Sequence, residues 1–404
     1  MKLFPGFIFV FLILFGLGSC TQRLIPHQLN QGFEYQPATA VYHDLRREGD
    51  SLHVYLKFSD RNFFAFPQNI TLSYAVYVDY GTNDKLLTDT ISRKSTRFLK
   101  TEEAVFTDLK IPALKLKEQA VLVVKVASSN DGEHVFYKDI PLTAAAITKP
   151  YVLVRPETGL PFFRNFLRQH EAFKVAQYGV AMPGELIRFE TDYEAALPPM
   201  ATQSKTVGKT LKKLQTIAFL DQPLALPELG LYSIEIGGKA AGGFLVESST
   251  FPEVTTAKEL IQPLIYLTTS AERTKLYQAP DPKAAVDQFW LGISPNQTEA
   301  RKLIRLFYER VEGANKLFTA HKAGWQTDRG MIYLIYGPAD RVNRFNDREE
   351  WTYHTTEDHM ETRFIFLKKD NTFTQNYYEL LRSPYLEDIW YSIVEQWRKG
   401  TIAK

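Results

Sequence analysis

The chain has 404 residues, 45% hydrophobic and 23% charged, which is enough apolar material for two or three packed cores and too much for a disordered polymer. Its formal net charge of +2 gives no electrostatic footprint for a nucleic-acid partner. The single cysteine, Cys20, rules out disulfides and multi-thiolate metal sites, so the folded body must be held by its cores.

The chain opens with Met1-Lys2, a short basic start. Residues 4–17 are almost wholly apolar and lead into Leu17-Gly18-Ser19-Cys20. This reads as a secretory signal over 1–19. The apolar run is shorter than the ~20 residues that span a bilayer. Its end resembles a lipobox, in which the cysteine is lipidated and becomes the new N-terminus. Cys20 is therefore the expected lipidation site, and several acyl chains at about 0.8 kcal/mol per buried CH₂ would anchor it stably. Residues 20–39 are polar, with Pro26, Gly32 and Pro37, and read as a tether.

Residues 40–149 carry strand patterns. Leu52-His53-Val54-Tyr55-Leu56-Lys57-Phe58 alternates in part, and Ala120-Val121-Leu122-Val123-Val124-Lys125-Val126 is apolar enough for a buried strand. Asn130-Asp131-Gly132 is a turn signal. Six or seven short strands over about a hundred residues predict an immunoglobulin-like β-sandwich. A second β-rich unit, also expected to be an immunoglobulin-like β-sandwich, covers 150–249. In it, Tyr232-Ser233-Ile234-Glu235-Ile236 and Phe244-Leu245-Val246 flank a glycine-rich stretch, 237–243, that reads as an exposed hairpin loop. No helix follows it, so it is not a phosphate-binding loop. Gly208-Lys209-Thr210 fails as a P-loop too: Gln203 stands where the first glycine belongs.

From residue 250 the period turns helical. Thr269-Ser270-Ala271-Glu272 has capping-box spacing. Asp281-Pro282 and Ser294-Pro295-Asn296-Gln297 combine N-cap residues with an early proline. The helix after Ser294 places Ala300, Leu303, Ile304, Phe307, Val311, Ala314, Leu317 and Phe318 on one face. It delivers the chain to Gly324-Trp325-Gln326-Thr327-Asp328-Arg329-Gly330, followed by the apolar run 331–336 and Gly337-Pro338. Here Gly324 is expected to be the left-handed residue past a helix end, with Trp325 folding back on the last turn. Thr327 and Asp328 are short acceptors for backbone N–H groups. The run 331–336 reads as a strand covered on both faces. The remaining patterns are two strands, around Trp351 and around Phe364, and a last helix after Ser383-Pro384 carrying Leu386, Ile389, Trp390, Ile393, Val394 and Trp397. Residues 250–404 are thus expected to form an α+β unit with a small antiparallel sheet.

Gly324, Trp325, Thr327 and Asp328 match the signature of the GWxTD domain, and on these residues the chain resembles that bacterial lipoprotein family. The resemblance covers the helix–sheet part and implies a lipid-anchored envelope protein without implying a particular reaction. The Gly337-Pro338 turn and the later Trp351-x-Tyr353 also resemble small outer-membrane lipoproteins of the barrel-assembly machine, which dock on partners. The expected partners are the membrane, through lipid on Cys20, and other envelope proteins. The expected location is the outer membrane, on its periplasmic face, because no acidic run follows Cys20.

Catalytic candidates are sparse. His321, Asp328, His354 and His359 are the residue types that hold metals or move protons, but His354 and His359 are not at the i, i+4 spacing of a helical zinc pair. Asp328 and Asp340 are a conceivable carboxylate pair. There is no Gly-x-Ser-x-Gly elbow and no His-Glu-x-x-His, and no residue is assigned as catalytic, as a metal ligand or to a cofactor. Two readings stay open: a non-enzymatic docking or scaffold protein, or a hydrolase or ligand-binding protein with a site near Trp325, Asp328, Tyr353 and His354.

Overall fold

The computed structural model describes residues 41–59, 70–82, 84–91, 99–102, 104–128, 134–202, 210–354 and 361–402. Cys20, the signal, the tether, the turn at 130–132, Gly208-Lys209 and His359 lie outside them. Among the described residues, no helix is long and apolar enough to cross a membrane.

The first unit is a β-sandwich. One sheet has the order β1 (Val41–Glu48), β2 (Ser51–Phe58), β6 (Val105–Pro112), β5 (Leu99–Lys100). The other has β4 (Lys85–Ile91), β3 (Ile70–Tyr77), β7 (Ala120–Ser128), β8 (His134–Leu142). All pairings are antiparallel. Alternation puts Leu52, Val54 and Leu56 on one inner face and Leu72, Tyr74, Val76, Leu122 and Val124 on the other, where they share one core. A five-residue helix, α1 (Ala144–Thr148), capped by Thr143, leads out of this unit.

The second unit has a two-stranded sheet, β9 (Tyr151–Val154) with β11 (Lys174–Gln177), and a five-stranded sheet. The latter has the order β10 (Phe166–Arg168), β15 (Lys239–Glu247), β14 (Gly230–Ile236), β12 (Gly184–Phe189), β13 (Lys213–Phe219), with β10 parallel to β15. The glycine-rich stretch is not a long loop. β14 and β15 meet at a two-residue turn, Gly237-Gly238, with φ of 57° and 74°, and the remaining glycines belong to the strand.

Residue 250 marks the change from strands to helices, and packing continues across it. The largest core joins Phe166, Leu231 and Leu245 of the second unit to Trp290, Phe307, Trp325, Trp351, Trp390 and Trp397. The helices are α2 (Ala257–Ile261), α3 (Ser270–Gln278), α4 (Pro282–Gly292), α5 (Gln297–Phe318), α6 (Asp328–Tyr336) and α7 (Leu386–Arg398). Thr256 with Glu259 and Thr269 with Glu272 form full capping boxes, and Asp281 caps α4. For α5 the cap is Asn296, not Ser294. The sheet of this part is antiparallel, in the order β16 (Arg341–Arg344), β17 (Arg348–His354), β18 (Glu361–Lys368), β19 (Tyr378–Leu380).

One expected element is of the wrong type. Residues 331–336 are not a strand but the body of α6. Eight of its nine residues are buried, because α5, α7 and β19 enclose it. A helix covered on every side loses its polar face, so its sequence shows no 3.6 period and reads like a buried strand. Its ends were signalled nonetheless. Thr327 accepts the Gly330 N–H as N-cap at 3.0 Å, and Gly337 at φ 86° ends it. Arg310 of α5 donates to the carbonyls of Leu334 (3.4 Å) and Ile335 (2.9 Å) at the C-terminus of α6, where a cation is favourable.

Candidate functional site

The signature is a corner between two helices, not between a helix and a strand. A 3₁₀ turn (Gly324–Gln326) links α5 to α6 and is stitched to both. Gly324 is not in the left-handed region; it is needed for close approach. A Cβ there would lie 1.9 Å from the Ala314 carbonyl oxygen of α5. Gly330, not singled out from the sequence, meets the same corner from the other side: its Cβ would lie 1.8 Å from the Gly324 carbonyl oxygen. Two backbones touch only where glycine stands.

The remaining letters of the motif are also accounted for by packing. The Trp325 ring is buried and meets Tyr266 edge-on at 6.3 Å, while the Tyr266 hydroxyl donates to the Trp325 carbonyl at 3.1 Å. The Trp325 N–H donates to Asn315 Oδ1 at 3.2 Å, and Asn315 Nδ2 donates to the Pro252 carbonyl at 3.0 Å. The Gln326 carbonyl accepts from Ala196 N–H at 2.8 Å, tying the corner to the second unit. The Thr327 hydroxyl donates to the Gly324 carbonyl at 2.7 Å while capping α6. Asp328 is buried as the first residue of α6. It accepts from Leu380 N–H at 2.7 Å and forms an ion pair with Arg382, whose guanidinium also reaches the Leu197 carbonyl at 3.0 Å. The next residue, Arg329, pairs with Glu349 at 3.4 Å and lies 4.1 Å over the Tyr378 ring.

The expected convergence of Trp325, Asp328, Tyr353 and His354 does not occur. Asp328 starts α6, whereas the Tyr353 hydroxyl donates to the Gly337 carbonyl beyond its other end. A nine-residue helix is about 13 Å long, so the two belong to different surroundings. His354 sits half-exposed beside Asp340 at 3.2 Å. Asp328 and Asp340 are likewise at opposite ends of α6 and face different partners, Arg382 and His354, so they form no carboxylate pair. His321 is a packed histidine. Its ring lies between Tyr193 and Tyr377, and Nδ1 faces the Asn371 amide nitrogen at 3.1 Å, which makes Nδ1 the acceptor. Burial, helped by Lys322, holds it down to about 4, so it is neutral. Among the described residues no cluster of three or more histidine, cysteine, aspartate or glutamate side chains has the geometry to hold a metal.

Two cavities flank this part of the molecule. The smaller, about 370 Å³, lies against the signature turn and is lined by Trp325, Gln326, His321, Lys322, Glu247 and Glu259. Burial, helped by Glu259, pushes the Glu247 carboxyl up to about 7. The larger, about 560 Å³, lies where all three units meet. No sequence signal marked it, because its walls come from β1, β8, β15, β16 and the segment before β19.

The fold and the corner together define a strand-rich chain closed by a helix–sheet unit whose signature is an internal joint. Residues 230–399 match the family model of the GWxTD domain, so this stretch of the chain carries that domain. The match starts at β14, inside the second unit, in keeping with the core that crosses residue 250. Comparison with curated proteins gives no match. Solved structures similar to the chain include the crystal structure of DIP-gamma IG1+IG2, at 13% identity over 52% of this chain and 96% of that one, TM-score 0.14. Another is the crystal structure of Dpr2 Ig1-Ig2 in complex with DIP-Theta Ig1-Ig3, at 9% identity over 51% and 94%, TM-score 0.16. Superposition at such scores assigns no fold.

Proposed function

We propose that this is a lipid-anchored cell-envelope protein of docking or scaffold type, held by Cys20 at the periplasmic face of the outer membrane and without enzymatic activity. The observation that supports it best is that the signature residues are used up by internal contacts. Gly324 and Gly330 let two backbones touch, Trp325 is buried, Thr327 caps α6, and both Asp328 oxygens face Arg382 and Leu380. Side chains so engaged position other surfaces rather than transform a substrate. The first sandwich, in this reading, is an immunoglobulin-like spacer and binding module, and the continuous core from β10 to α7 makes the rest one platform. A hydrolase site built from Trp325, Asp328, Tyr353 and His354 is not supported, since those side chains lie apart.

The test is fractionation and pull-down of the lipidated, tagged protein from its own membranes. Wild type is expected in the membrane fraction with envelope proteins bound. Cys20→Ser is expected in the soluble fraction or as an uncleaved precursor. A processed Cys20→Ser protein that still behaves as an integral lipoprotein would overturn the anchor.

A further inference from the structure

Four chain reversals meet at one end of the first and second units. They are the β1–β2 turn Gly49-Asp50, the 3₁₀ turn Ala113–Lys115 after β6, the β11–β12 loop 178–183 and the β14–β15 turn Gly237-Gly238. Short contacts hold them together. The Ala113 N–H donates to the Asp50 carbonyl at 2.8 Å, and the Gly237 N–H donates to the Pro183 carbonyl at 3.0 Å. A Cβ on Gly49 would lie 3.7 Å from the Tyr178 ring. β13 ends here too, since Phe219 pairs with Gly184.

This end leaves large apolar side chains in water. Val180 is 93% exposed, Leu114 78%, Tyr178 54%, Met182 49% and Leu220 47%. The loop that carries three of them, Tyr178-Gly179-Val180-Ala181-Met182-Pro183, has no charged residue. It is nonetheless held in shape. Gln177 bridges it, with Nε2 donating to the Met182 carbonyl at 2.8 Å and Oε1 accepting the Met182 N–H at 3.1 Å. Gly179, at φ 74°, makes the reversal. Exposed charges close by in the chain are of both signs, Lys115, Lys117 and Lys239 with Asp50 and Glu118, so charge does not single this end out.

A contiguous apolar tip marks a contact surface. Its form favours a bilayer over a protein. It is convex, with Val180 standing clear of its neighbours, whereas protein interfaces centre on anchors fitted into pockets. A bilayer interface asks for no complementary shape and takes Val, Leu, Met and Tyr side chains readily. It does ask that backbone groups carried inward be hydrogen-bonded, which Gln177 does for Met182. Reach agrees as well. The stretch from Cys20 to Val41 can span up to about 70 Å, against about 26 Å for the eight residues of β1 that separate Val41 from the tip. Lipid on Cys20 would keep the tip at high effective concentration beside the bilayer, where a contact too weak to hold a free protein still forms.

We propose that the tip formed by Leu114, Tyr178, Val180, Met182 and Leu220 enters the boundary between headgroups and acyl chains of a phospholipid bilayer. The inference rests on the membrane-anchored reading given above, and makes the tip a second contact that sets the orientation of the anchored chain.

The experiment supplies the anchor chemically, so its outcome does not depend on whether cells lipidate Cys20. The chain from Cys20 onward is coupled through that sole thiol to a maleimide lipid in vesicles of phosphatidylethanolamine and phosphatidylglycerol, with or without bromine on the upper acyl chains. The five native tryptophans are buried, so Val180→Trp adds the exposed reporter. Its emission is expected to shift to the blue and to lose about half its intensity in brominated vesicles, as befits a depth of about 5–10 Å. Tyr391→Trp, at an exposed position of α7, is expected to do neither. Adding Leu114→Asp and Met182→Asp to Val180→Trp is expected to return the emission to its value in water, with Tm unchanged because both side chains are exposed. A Val180→Trp protein that brominated lipid leaves unquenched would overturn the proposal. Equal quenching of Tyr391→Trp would overturn it as well, by assigning the contact to the tether alone. A blue shift that needs no vesicles and grows with protein concentration would overturn the bilayer in favour of a second copy of the chain. The anchor itself is judged separately, by the fractionation of Cys20→Ser.

Discussion

The corner between α5 and α6 and the junction cavity both bury ion pairs, one in closed packing and the other beside open volume. At the corner, Asp328 faces Arg382, Arg329 faces Glu349, and glycines remove the last space between backbones. At the junction, Arg344 joins Asp139 and Glu349 beside about 560 Å³ of open volume. A closed, neutralised arrangement is what stability requires, since a buried charge without its partner costs several kcal/mol. Open volume beside paired charges leaves room that packing does not fill.

The contrast is tested most severely at Gly330. Gly330→Ala drives a Cβ into the Gly324 carbonyl oxygen, a backbone atom that cannot swing away. The expected loss is about 4–5 kcal/mol, or failure to fold, read by denaturant melts. A variant that melts with wild type would mean the corner is looser than described. Trp325→Ala should follow closely, at about 3–5 kcal/mol, because a buried indole leaves a hole next to Tyr266.

Asp328→Asn comes next. It keeps the shape but strips Arg382 of its counter-charge and should cost on the order of 3 kcal/mol. Arg344→Met at the junction leaves Asp139 and Glu349 short of a cation and should cost a similar amount. An Arg344→Met protein that melts with wild type would mean that the junction pairs are not closed off from water as described.

The smallest effect belongs to a partly exposed surface pair that serves as a baseline. Arg398 hydrogen-bonds Glu272 at 2.8 Å and, with the Thr269 N–H, lowers its carboxyl to about 2. A carboxyl depressed on folding stabilises above its unfolded value, near 4.5, and loses that contribution as pH falls toward 2. The stability gap between wild type and Arg398→Gln should therefore be under about 1 kcal/mol at pH 7 and shrink by pH 3.5. A gap that widens on acidification would contradict this sign.

Sequence alone determined the features that are local. Alternation in Leu52, Val54 and Leu56 marked the sandwich. Thr269 with Glu272 and Asp281 with Pro282 marked helix starts, and the stripe from Ala300 to Phe318 marked α5. Each follows from the period of one element or the hydrogen bonding of one terminus, which neighbouring residues fix by themselves. The signature was legible as a joint, yet its chemistry was not. Gly324 was expected to supply a turn and instead supplies proximity to Ala314, a contact no local rule contains. The apolar run 331–336 looked like a strand because tertiary packing covers α6 on all sides and erases the helical period. Asp328 could not be matched to Arg382, nor Asp139 to Arg344, since partners 54 and 205 positions apart are chosen by how the units dock. The cavity is the extreme case: its walls come from strands and loops spread across all three units, and only their assembly gathers the charges.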